Sequence, residues 1–141
     1  MTKLEVRSYR EPDEEAVVQL WRDCGLVMPW NDPVKDIYRK LRVQRELFLV
    51  GLLGSRMVAV VMAGYEGHRG WVNYLAVAPD CQKSGYGRRM MEEAEARFRA
   101  LGCAKINLQI RRSNTGVIEF YERIGFSVGD EVSMGKRLEE D

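Results

Sequence analysis

An apolar run, Trp71-Val72-Asn73-Tyr74-Leu75-Ala76-Val77, passes through Pro79-Asp80 into Gln82-Lys83-Ser84-Gly85-Tyr86-Gly87 and then into a helix-like segment starting near Arg88. A strand that feeds a glycine-bearing turn and then a helix belongs to layered α/β architectures. It also leaves bare backbone amides at a helix start, where an anionic phosphate binds best. The glycine pattern does not fit a dinucleotide fold, because its third glycine falls on Met90. The phosphate-loop signature of nucleotide triphosphatases is also absent.

The flanking segments set the rest of the expected order. Leu4 to Ser8 alternates as a short strand, and Ala16, Val17, Leu20, Trp21 and Cys24 recur at helical spacing up to Gly25. Asp32 is placed to cap a second helix with Pro33 just inside it and an apolar stripe of Val34, Ile37, Tyr38 and Leu41. Leu47 to Leu53 and Met57 to Tyr65, joined by Gly54-Ser55, form an expected antiparallel hairpin whose second strand is buried on both faces. After the glycine loop, Met90, Ala94, Phe98 and Leu101 mark the core face of a long helix ending at Gly102. Ile106, Leu108 and Ile110 read as a strand parallel to the Trp71 strand. A helix capped by Asn114 follows, and Phe126 to Leu138 reads as two strands around Gly129-Asp130. The expected fold class is α/β, a mixed, mostly antiparallel central sheet with helices on both faces, in a single domain over residues 1–141.

Charge and cysteine content narrow the function classes. The 141-residue chain carries a formal net charge of +1 with no Lys/Arg block, which offers no footprint for nucleic acid or an anionic membrane. Cys24, Cys81 and Cys103 are widely spaced and lack zinc-site clustering, so no metal is expected and the thiols read as reduced. A charged N-terminus and the lack of a long apolar run point to a cytoplasmic location.

The element order and the glycine loop together resemble the GCN5-related N-acetyltransferase superfamily, over most of the chain. Its Arg/Gln-x-x-Gly-x-Gly/Ala signature is matched by Gln82, Gly85 and Gly87, and a later helix-opening Asn, a Tyr and a Gly-Phe pair are matched by Asn114, Tyr121 and Gly125-Phe126. Pro29-Trp30-Asn31-Asp32-Pro33 and Gly64 to Gly70 look like the small bacterial YpeA-type members.

The resemblance implies transfer of an acetyl group from acetyl-CoA to an amine of a small molecule or a protein, by direct attack in a ternary complex. It implies that a splayed parallel strand pair binds acetyl-CoA, with pyrophosphate on the amides of Gln82, Lys83, Ser84, Gly85, Tyr86 and Gly87 and with Lys83 or Arg88 adding charge. Leu75, Ala76 and Val77 are then the strand along which pantetheine lies, and an amide near Leu75 faces the thioester oxygen. Tyr121 falls where the family often keeps its general acid. Asn114 reads equally as a contact to CoA or as a plain helix cap. Trp71 stands where some members have a catalytic Glu, which leaves Glu66, His68 or a water chain to take the amine proton, with Glu66 also near the acceptor. Trp30 is either a wall of the acceptor pocket or packing that pins its loop. A non-catalytic acyl-CoA sensor or partner subunit is the alternative reading, and a homodimer through edge or tail strands stays open.

Overall fold

The computed structural model describes residues 3–141. Met1 and Thr2, the start of the charged N-terminal stretch, lie outside the described residues. Two compact units emerge: one runs to Asn107 and takes in Asp141, and the other is Leu108–Glu140.

The first unit is built on a sheet. The strands are β1 (Glu5–Ser8), β2 (Phe48–Leu53), β3 (Arg56–Tyr65), β4 (Gly70–Val77) and β5 (Ile106–Leu108, whose last residue is counted with the second unit), lying side by side in that order. The first three junctions are antiparallel, and β5 runs parallel to β4. Val58, Ala59, Val60 and Val61 of β3 are all buried, as a central strand covered on both faces requires.

Three helices of this unit cover the sheet: α1 (Glu14–Asp23), α2 (Pro33–Lys40) and α3 (Tyr86–Ala100). Trp21 of α1 stacks on Phe48 and Tyr74, with ring centroids 6.3 and 4.0 Å apart. The opposite face of β2 meets α3, since a Cβ on Gly51 would stand 3.0 Å from Met90 Sδ. Phe48 and Gly51 point to opposite sides because side chains alternate along a strand, so helices lie on both faces of the sheet. Val17, Leu20, Trp21, Ile37, Met90, Met91, Ala94 and Phe98 fill the two layers.

Local signals set the helix starts. Asp32 accepts from the amides of Val34 (2.9 Å) and Lys35 (3.2 Å), and Pro33 occupies the first helical position. A half-buried ion pair ties β1 to the turn before α1: Arg7 donates twice to Asp13, at 2.8 and 3.0 Å, and Arg10 N–H donates to the same carboxylate at 2.8 Å. Three expected core positions are exposed: Ala16, Tyr38 and Leu101.

The second unit holds α4 (Thr115–Arg123). Tyr121 packs edge-on against Phe120 and Phe126, with centroids 5.0 and 5.4 Å apart. The two tail strands expected between Phe126 and Leu138 do not form; no strand is present there, and Val128, Val132, Met134 and Leu138 are exposed. Glycines and charges break up the alternation, and a lone two-stranded ribbon is marginal in water. The strand expected to reach Ile110 stops at Leu108.

Candidate functional site

β4 is irregular at the position that matters most. Ala76 pairs with Val60 and Asn73 with Met62, so Tyr74 and Leu75 together oppose Val61 alone. This is a β-bulge, which bends a strand and re-aims its backbone. Tyr74 carries it with φ 54°, a left-handed conformation that is costly for a bulky residue. β5 has three residues against the eight of β4, so β4 outruns its parallel neighbour.

Past the bulge, Val77 C=O accepts from Gln82 Nε2 at 3.0 Å and from the Cys24 thiol at 3.2 Å. Gln82 thereby fastens the loop to the strand end. Gln82, Lys83, Ser84 and Gly85 are exposed, and Tyr86, Gly87 and Arg88 form the first turn of α3. Gly85 is the N-cap at φ +85°, with nothing within 4 Å of where a Cβ would lie. Lys83 is also left-handed, at φ 63°. Among the described residues none of the backbone N–H groups from Gln82 to Arg88 donates a hydrogen bond. No acidic side chain sits in the first turn of α3. A row of free donors at the positive end of a 15-residue helix fits an anionic diphosphate.

On the α1 and α2 side of the bulge lies a wide-mouthed cavity, open to solvent and of about 370 Å³, lined by Asp36, Arg39, Lys40, Met62, Asn73 and Tyr74. Tyr74 Oη donates to Asp36 Oδ2 and accepts from Asn31 Nδ2, both at 2.6 Å. Burial and then the Asp36 hydrogen bond push the Tyr74 hydroxyl far above its ordinary pKa, so it stays protonated. Arg39 is engaged by Asp36 at 3.2 Å and Asp141 at 2.8 Å. None of Asp36, Lys40, Asn73 and Tyr74 was singled out for chemistry from sequence. Their convergence depends on the bulge and on α2 lying over β3, and neither has a local signature.

The other predicted residues divide. Glu66 is exposed in the turn before β4, where its carboxylate accepts the amides of His68 and Arg69. Those bonds lower its pKa and make it a weak base. Trp30 is 52% exposed. Its loop is closed by Asn31, which accepts from Met28 N–H at 2.9 Å. Asn114 occupies the N-cap of α4, yet its side chain makes no capping hydrogen bond. Tyr121 is buried within the second unit, and burial raises its hydroxyl well above the usual range, so it stays protonated. Cys81 is buried, with Arg56 Nη1 3.7 Å from its sulfur.

A family model described as "Acetyltransferase (GNAT) family" matches residues 2–126. The chain belongs to this family. An acetyltransferase of Pectobacterium atrosepticum is 44% identical over 138 residues, 98% of each chain. A Yersinia pestis protein described as an uncharacterized N-acetyltransferase is 42% identical over 135 residues, 96% of each. Among solved structures, the GNAT chain is similar in fold to AAC(6')-Iy in complex with the bisubstrate analog CoA-S-monomethyl-acetylneamine (TM-score 0.79, 12% identity, 96% and 99% covered). It is similar also to PaiA N-acetyltransferase of Thermoplasma acidophilum in complex with coenzyme A (TM-score 0.73, 18% identity, 92% and 93% covered). This acetyltransferase has no helix among its described residues that is long and apolar enough to cross a membrane.

Proposed function

We propose that this protein is a cytoplasmic acetyl-CoA-dependent N-acetyltransferase acting on a primary amine by direct attack in a ternary complex. The observation that carries the reading is the run of undonated amides from Gln82 to Arg88 directly after the bulged end of β4. When bound, acetyl-CoA supplies the activated acetyl thioester.

The chain's own residues have separable tasks. Amides of Gln82 through Gly87 bind the diphosphate, with Lys83 and Arg88 adding charge at its rim and Asn114 a further contact. Leu75, Ala76 and Val77 orient the cofactor arm, and an amide at the bulge near Leu75 holds developing negative charge on the acyl oxygen. Tyr121 donates the proton that the departing thiolate needs. An alkyl ammonium, with a pKa of about 10, must lose a proton before it attacks. We assign that acceptor role to Asp36, the carboxylate lining the cavity beside Tyr74, in preference to Glu66, which stands in an exposed turn where Oε1 accepts two backbone amides that weaken it as a base.

The test is calorimetric titration with acetyl-CoA together with detection of CoA release and N-acetyl product over a panel of primary amines. Micromolar binding with turnover of at least one amine is expected. Binding with no turnover of any amine would instead support an acyl-CoA sensor, and no binding would defeat both.

A further inference from the structure

Lys40, the last residue of α2, lines the cavity from over β3. A Cβ on Gly64 would stand 3.3 Å from Lys40 Nζ and 3.8 Å from Gln44 Oε1. Gly64 therefore leaves the room that the ammonium occupies. Gln44 Oε1 is itself used, accepting Tyr65 N–H at 2.7 Å.

Lys40 is half-buried, and among the described residues its ammonium makes no ion pair or hydrogen bond. Its neighbour Arg39 has two carboxylate partners. Burial lowers the Lys40 pKa, with the negative charge of Glu46 acting the other way. A cation deprived of part of its hydration, with only the exposed Glu46 carboxylate in its neighbourhood and no ion pair, gains from an anion that completes it.

Helix geometry adds the second element. Asp36 and Lys40 are one turn apart on the same face of α2, with Cβ atoms about 5–6 Å apart. They do not pair with each other. Asp36 is held by Tyr74 and Arg39, which leaves carboxylate lone pairs for one more donor. The wall of the cavity thus offers a negative group beside the bulge and a positive group one turn away.

We infer that the acceptor is a small amino-carboxylate, its amine directed by Asp36 and Tyr74 toward the bulge and its carboxylate bound by Lys40. This inference rests on the N-acetyl transfer reading above. A single ammonium matches a monoanion, whereas a phosphate ester is better met by the fork of an arginine, and Arg39 is already engaged. The depression, about 370 Å³ and open to solvent, has room for a short acceptor between these two groups.

The experiment is calorimetry on CoA-saturated protein with ω-amino acids of two to six carbons, each paired with its neutral amide. At the best chain length the acid is expected to bind about tenfold more tightly than the amide, the gain typical of one charge-assisted hydrogen bond. Lys40→Met should bring the pair to within about twofold while Lys40→Arg keeps the preference. Lys40→Gln, which retains a polar head without charge, guards against misfolding of the methionine variant. Equal binding of acid and amide across the series, no binding by any acid, or a preference that survives both neutral variants overturns the inference. Turnover of the same pairs separates the two claims. Amides acetylated as well as acids sink the acid preference alone, whereas acid-selective binding without turnover sinks the transferase reading and leaves the Lys40 site standing.

Discussion

The Tyr74 hydroxyl donates to the Asp36 carboxylate at 2.6 Å, linking the bulged residue of β4 to the first turn of α2. Tyr74→Phe leaves Asn31 Nδ2 without its acceptor and Asp36 Oδ2 without its donor, a loss of about 1–3 kcal/mol of stability. Asp36→Asn keeps the shape but removes the proton acceptor, so kcat is expected to fall by about 10²-fold or more at unchanged acetyl-CoA affinity. Steady-state kinetics beside calorimetry checks both. Full activity in Asp36→Asn would return the acceptor role to solvent or to Glu66.

At Gly85 the backbone is left-handed, so Gly85→Ala adds a strain of about 1 kcal/mol although space for the methyl exists. Relief of that strain moves the loop amides. Weaker acetyl-CoA binding, by about tenfold, with only a small drop in melting temperature is the expected signature. Unchanged affinity would mean that the loop is not where the diphosphate lies.

Tyr121→Phe retains the ring that meets Phe120 and Phe126 edge-on and deletes the hydroxyl. If the hydroxyl is the acid, kcat falls by about 10²-fold while acetyl-CoA affinity and melting temperature hold. A fall in stability alone would assign Tyr121 to packing.

Arg7 and Asp13 predict an acid-sensitive increment of stability. Burial by itself would raise the Asp13 pKa, but hydrogen bonds from Arg7 and Arg10 N–H outweigh it and leave the folded value depressed. A depressed carboxylate stabilises the fold fully above its unfolded pKa of about 3.9. That contribution is lost as pH falls through the folded value. Asp13→Asn is expected to cost about 2 kcal/mol near neutrality. The difference from the parent should narrow below about pH 4 in urea melts, and a gap independent of pH would contradict the ion-pair account.

Elements governed by short-range patterns were legible from sequence. The Gly54-Ser55 hairpin, the Asp32-Pro33 helix start and the loop from Gln82 to Gly87 each carry their signal within a few residues. What was missed depends on distant partners. Tyr74 is left-handed because β4 has one residue more than β3 at that register, which no local propensity encodes. Lys40 looks like an ordinary charge at a helix end until Gly64 is seen beneath it. The tail was over-read for the opposite reason, since alternation at Val128, Val132 and Met134 specifies a strand only when another edge supplies hydrogen bonds.

The seclusion of β3 has a kinetic corollary. Its central amides, flanked on each side by a long antiparallel neighbour and capped above and below by helices, should be the last to exchange with deuterated solvent. The distorted stretch of β4 is registered directly against that slowest-opening segment. On gradual heating, the geometry around the bulge should therefore survive until the first unit as a whole melts, and the local signal of Tyr74 and the loss of that unit's tertiary structure should fall on a single temperature curve.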